Sequence, residues 1–500
     1  MSRIDAISSG QSGADLLLRP TDWRAAWLSM DRNPRALAFA ASPVGIAAVH
    51  VAFIAGLVAS LQFSAEAVLL VAATLVGCAA FPQRRLMVLT AASLFFFLVR
   101  PFRTPAFTDM LHALAASPTT GPLSPMAMQL LAATSFVLCA YAWLRLQRRY
   151  PTGLAGRRPL LLHLWAFVAL VAAGCLIAPG SLLHASFWVF MAIWGSSFWM
   201  LAYMMADLKA KDATPDPMRA AFMRPVWGGS ATPIGKGHSY LAKFEARTDE
   251  ELAVTRLKAV KLVVWAALLN AAYVLLDGLI HGQAGIPTLH ESVMAQIAGT
   301  ELALAKRWAG LIATYLLDLM VIAFWGHVLV AIVRMIGYRI PRNTVNPLAS
   351  RSLAEFWNRY FFYYKELLVD FFFYPAFLRW FKTAPKLRIA FATFCAAGFG
   401  NFLYHAMSEI HLFALMDVSS ALSHFPTFAF YTLVLATGLI VSQLRGARPR
   451  PEQGFLRYQV LPRVNVMLFF CFLKIFDDIF GNGTLADRLV FLLRLFGVNA

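Results

Sequence analysis

Of the 500 residues of this chain 59% are hydrophobic and 14% charged, and the mean hydropathy is +0.62. That is more apolar surface than a water-solvated core of this length can enclose, so an ordinary soluble enzyme is excluded and most of the chain belongs in lipid. A net charge of +18 invites a nucleic-acid reading, but the basic residues track the ends of apolar runs, which excludes that class.

The expected fold is all-α: a polytopic integral membrane protein of about 11 transmembrane helices plus one half-inserted, re-entrant aromatic segment. A span needs about 20 apolar residues, because a backbone in hydrocarbon must satisfy its own hydrogen bonds. In chain order the candidates are 36–61, 65–81, 86–100, 124–144, 160–178, 182–206, 259–280, 308–336, 387–415, 421–442 and 462–480, with a short apolar tail at 485–498. Residues 1–35 form an N-terminal segment without the order of a cleaved signal peptide, so the first span is expected to stay as an anchor. A first bundle covers 36–206, a polar loop 207–258, and a C-terminal membrane region 259–500, whose core is 345–415.

Through the first eight spans, the segments on one side hold 21 Lys and Arg residues and those on the other hold 4. The positive-inside rule then predicts a cytoplasmic N-terminus, and attraction to anionic headgroups accounts for the remaining basic excess. The five cysteines lie within apolar spans without CxxC spacing, so they read as small buried hydrophobes rather than disulfide or zinc ligands. No metal site is expected. The loop carries WGGSATPIGKG, which fails as a phosphate loop because position 230 is serine and Lys236 precedes glycine.

Residues 337–388 are both aromatic and charged, with Glu355, Arg359, Lys365, Glu366 and Asp370 and interruptions at Pro375 and Pro385. Each charge costs about 2.5–3.5 kcal/mol at the centre of a lipid-facing helix, so this segment is expected half-inserted against other helices and lining a polar cavity. The next span places Asn401, His405 and Glu409 at successive i, i+4 positions, which share one helical face. His405 would lie about 27 Å along that helix at 1.5 Å per residue, inside the membrane, where an ionisable side chain marks a functional site or a packed interhelical bond.

Ser352, Phe356-Trp357-Asn358-Arg359, then Asp370 fourteen residues after Phe356 and Pro375 five further on, followed by Phe402-Leu403-Tyr404-His405-Ala406, resemble the membrane-bound O-acyltransferases, in particular their bacterial branch that acylates cell-envelope polymers. Two positions depart from that pattern. Phe361 stands where the family carries its first histidine, and Val369 where an arginine precedes the aspartate. The resemblance covers about 60 residues, Ser352 to His411.

It implies acyl transfer from a cytosolic thioester, either an acyl-coenzyme A or an acyl carrier, to a hydroxyl or amine of a lipid or envelope polymer, without a tightly bound cofactor and in a bacterial inner membrane. His405 would be the general base, Asn401 or Glu409 would orient it or the acceptor, and Asp370 would order the half-inserted segment. Trp357, Asn358, Arg359 and Tyr404 would contact substrate. The eleven dispersed histidines exclude a histidine-rich di-iron oxygenase. The rivals are a proton-coupled transporter using intramembrane His, Asp and Glu, and a non-catalytic scaffold that lost the first family histidine.

Overall fold

A computed structural model describes residues 20–102, 104–117, 124–209, 214–222, 224–226, 237–445, 452, 454–477 and 483–498. It is 81% helical and holds no strand among the described residues; the only pairing of extended backbone there is an isolated bridge between Glu245 and Tyr338. The Gly- and Lys-rich stretch 227–236 of the polar loop lies outside the described residues.

The elements that position the site are α1 Pro34–Ala41, α2 Pro43–Ala59, α3 Ala65–Ala80, α4 Pro82–Val99, α5 Pro125–Arg149, α6 Pro159–Gly174, α7 Leu182–Asp207, α8 Asp249–Gln283, α9 Leu289–Ile297, α10 Leu304–Ile336, α11 Leu353–Tyr360, α12 362–379, α13 Pro385–Leu415, α14 Val418–Arg445, α15 Leu456–Lys474 and α16 Leu485–Arg494. Each of the eleven apolar stretches contains helix among the described residues. Among the described residues eight helices (α4, α5, α7, α8, α10, α13, α14 and α15) are long and apolar enough to cross a membrane, so the chain is a multi-pass membrane protein.

The expected first span is not one straight helix. It breaks between α1 and α2 with a 95° bend, because Ser42 adopts an extended conformation and caps α2 through its hydroxyl, which accepts from the Gly45 amide at 3.1 Å, while Pro43 starts the new helix where its missing N–H costs nothing. Helices α3 and α6 are 16 residues each, short of the usual spanning length. At the other extreme α8 begins at Asp249, ten residues before the expected span, capped by Thr248 and opened by three acidic residues that suit the positive end of the helix dipole.

Helices α8 and α10 pack tightly along their length, and α2 closes on α8 where Gly56 lets the Val263 methyls approach. Asn270 of α8 donates to the Ser60 carbonyl at 2.8 Å, an interhelical bond of the kind its place in an apolar span predicts. Helix α7 is the most enclosed, 78% buried over its apolar window. His163 of α6 is fully buried, stacked on Phe198 at 4.0 Å between centroids. The cysteines are free, and Cys139 is exposed rather than buried.

Candidate functional site

Two π-helical turns build the C-terminal site. Residues Val369–Phe373 in α12 and Phe394–Gly400 in α13 each make wider turns than an α-helix, and they pack on one another. The contact depends on Gly400, since a Cβ there would sit 2.5 Å from the Phe372 ring. A π turn also rotates the residues beyond it relative to a regular helix, and the α-helix that follows, Asn401–Ser408, carries Asn401 and His405 to the wall of a cavity of about 450 Å³.

Aromatic side chains fix most of that wall. Phe356, Trp357 and Tyr360 of α11, then Phe361, and Tyr364 of α12, line it, with Tyr404 of α13, Tyr431 of α14, Phe470 of α15 and Tyr315 of α10. Trp357 stacks on Tyr364 at 5.8 Å, and Tyr404 meets the Tyr364 edge at 4.8 Å and stacks on Trp199 at 6.2 Å. The His405 imidazole lies parallel to Phe428 at 5.4 Å and edge-on to Tyr431 at 5.9 Å. These contacts restrict the ring's rotation and leave it on the cavity surface.

Asn401 is fully buried. Its Oδ1 accepts a hydrogen bond from the Tyr364 hydroxyl, whereas its Nδ2 and the Trp357 Nε1 have no hydrogen-bond partner among the described residues. Buried donors in that state cost about 1–3 kcal/mol each unless something accepts from them.

The opposite wall is charged. Lys474 at the end of α15 reaches Asp318 of α10 at 2.8 Å and Asp477 at 3.4 Å, and all three line the cavity together with His290 of α9. The i, i+4 spacing in sequence pairs Lys474 with Asp478, which lies outside the described residues; among those described, Asp477 and the distant Asp318 are its partners. Asp318 and His327 diverge on α10 as their spacing requires, and His327 bonds its own helix at the Ala323 carbonyl, 2.5 Å. Asp318, His290 and Tyr315 were not singled out as site residues. The available signal was an unlike-charge pair, Asp318 and Lys474, in two otherwise apolar helices.

Of the expected site residues, Asn401, His405, Trp357 and Tyr404 meet at this cavity. Four others are not on its wall. Glu409 falls at a turn between two helical stretches of α13, beside His411 at 3.8 Å, so the shared face implied by i, i+4 spacing ends one step early. Asn358 is exposed. Arg359 is bound to Glu355 at 2.8 Å. Asp370 sits in the π turn of α12, where its charge acts on the buried Tyr203 of α7, a place suited to ordering the segment. No group of His, Cys, Asp or Glu side chains among the described residues could hold a metal ion. No family model matches this chain, and no curated protein matches it in sequence.

Proposed function

We propose that this protein is a membrane-embedded acyltransferase, with His405 as general base, transferring an acyl group from a thioester to a hydroxyl or amine acceptor in or at the membrane. One observation carries the reading: Trp357, Phe361, Tyr404 and His405, which belong to two motif-like stretches about 45 residues apart, converge on a single cavity. The family resemblance rests on those stretches. Phe361, where the family has its first histidine, is itself on the cavity wall.

The chemistry follows from what lines the space. An alcohol attacks a thioester slowly until a base takes its proton. His405 takes that proton as the oxygen bonds the acyl carbon, the C–S bond breaks, and the proton returns to the departing thiolate. The Trp357 Nε1 and Asn401 Nδ2 donors suit the carbonyl oxygen while it carries negative charge. The carbon chain of the donor or acceptor suits the aromatic walls. The cavity volume lies within the range of about 300–1,000 Å³ common to small-molecule sites.

A second reading, a proton-coupled transporter, draws support from the Lys474–Asp318–Asp477 cluster on the same cavity, since intramembrane charges also mark proton paths. Mass spectrometry of envelope polymers and lipids separates the two. Cells carrying the wild type, His405→Ala or no protein are compared at equal expression. An acyl mass increment present only with the wild type supports transfer and names the acceptor; identical acylation in all three strains rejects it.

A further inference from the structure

Five arginines are buried among the described residues: Arg85, Arg219, Arg224, Arg256 and Arg488. Four of them are bonded. Arg219 pairs with Asp207, Arg224 donates to the carbonyls of Arg100 and Phe102, Arg488 donates to the Ile475 carbonyl at 2.7 Å, and Arg85 reaches Glu245 at 2.8 Å. Arg256, only 6% exposed, makes no ion pair or hydrogen bond with any described residue, and its Nε is sealed from solvent.

Its surroundings make this costlier. The charged groups that act on Arg256 are Arg85, of like sign, and the exposed Asp249. Arg85 passes over the preceding turn of α8: the Cβ position of Gly337 lies 2.9 Å from the Leu252 side chain and 3.3 Å from the Arg85 guanidinium, and Leu252 is one helical turn before Arg256 on the same face. His50 of α2 comes to the same level: Gly56 of α2 meets Val263 of α8 and, further along both helices, Ser60 accepts from Asn270, so α2 and α8 run in the same direction and His50 falls near Arg256. His50 bonds its own helix through Nδ1, at 2.7 Å from the Ile46 carbonyl, and its buried Nε2 has no partner; nor has the Nε of Arg85.

Arg256 therefore lies within electrostatic reach of Arg85 and of His50, and the one carboxylate bonded in this group is Glu245, held by Arg85. A buried positive charge without compensation costs several kcal/mol, and two bare donors, the Nε of Arg85 and of Arg256, add to it. We propose that Arg85 and Arg256, with His50 beside them, form a binding site for a phosphate group. Its oxygens accept from the two guanidiniums, whose forks match phosphate geometry, and its negative charge balances the second arginine. The His50 Nε2, which holds no proton while Nδ1 donates to the Ile46 carbonyl, accepts from a hydroxyl on the phosphate or its ester. The site lies where α2, α4 and α8 begin and α3 and α10 end, the face that carries the basic loops. Basic pockets between helices on that face of a membrane suit lipid headgroups, and a soluble phosphate ester presents the same oxygens. The proposal is independent of the acyltransferase reading.

The test uses the whole protein. In detergent, thermal unfolding is measured with inorganic phosphate and with chloride at equal ionic strength. In parallel, protein reconstituted with vesicles of phosphatidylglycerol and phosphatidylcholine is re-extracted, and its retained lipid is counted by native mass spectrometry. A phosphate-specific rise in melting temperature identifies a soluble source, and one retained phosphatidylglycerol per chain identifies a headgroup. Either effect should weaken about tenfold in Arg256→Gln and partly recover in Arg256→Lys. Neither effect in the wild type overturns the proposal, as does unchanged binding by a folded Arg256→Gln protein. If both variants fail to fold, the wild-type comparison decides alone.

Discussion

Replacing Lys474 by methionine keeps the length and apolar stem of the side chain and removes the only Lys or Arg among the described residues of the cavity wall. Asp318 and Asp477 would then face each other without a cation. Removing one partner of a fully buried pair costs about 3–5 kcal/mol, and of an exposed pair about 0–1 kcal/mol. The side chains here are 21% exposed for Lys474, 38% for Asp318 and 32% for Asp477, so the expected loss lies between those limits, about 2 kcal/mol. Unfolding in mixed micelles of the wild type, Lys474→Met, Asp318→Asn and the double variant forms a double-mutant cycle. The double variant should recover about 1 kcal/mol relative to the sum of the singles, and only partly, since Asp477 stays unpaired. Additivity within about 0.3 kcal/mol would refute the claim that Lys474 ties α10 to α15 across this cavity.

Gly400→Ala should destabilise the protein by about 1–3 kcal/mol, because its Cβ would stand 2.5 Å from the Phe372 ring and force the two π turns apart. Gly278→Ala, whose Cβ meets nothing within 4 Å, is the control and should be near neutral in the same thermal-unfolding assay. Tyr364→Phe removes the donor to the fully buried Asn401 Oδ1 and should cost about 1–3 kcal/mol; an unchanged melting temperature would show that this bond does not hold Asn401 in place. At the rim, Thr288 and Glu291 form a reciprocal capping box on α9, and the Thr288 backbone N–H holds the Glu291 carboxyl below its ordinary range. Since the folded-state value is lowered, the stabilisation, under about 1 kcal/mol for this exposed cap, is complete above the ordinary glutamate pKa and disappears as pH falls through the folded-state value. Glu291→Gln should flatten that acid limb of the stability profile, and an unaltered limb would assign it to other carboxylates.

The membrane class and nearly every helix follow from apolar run length, because the requirement for internal backbone hydrogen bonding acts locally along the chain. Departures arise where a single residue overrides the run, as Ser42 and Pro43 do by starting a second helix at 95° to the first. At the site, spacing placed Asn401 and His405 on one face correctly but carried Glu409 with them, since i, i+4 reasoning assumes a helix that continues and this one turns at Glu409. The charged wall was harder to read for a different reason. Asp318 and Lys474 are each visible as an expensive charge in an apolar helix, yet the sequence separates them by more than 150 positions, and the carboxylate next to Asp477 offers an equally good local partner. A charge inside a span announces that something must compensate it, whereas the compensating group is chosen by how helices pack. Arg256 poses the same problem in reverse: packing brings it a second arginine in place of a carboxylate. Neither Glu245, bonded to Arg85, nor the exposed Asp249 pairs with Arg256, and that unpaired charge is the physical basis for proposing a phosphate at that face.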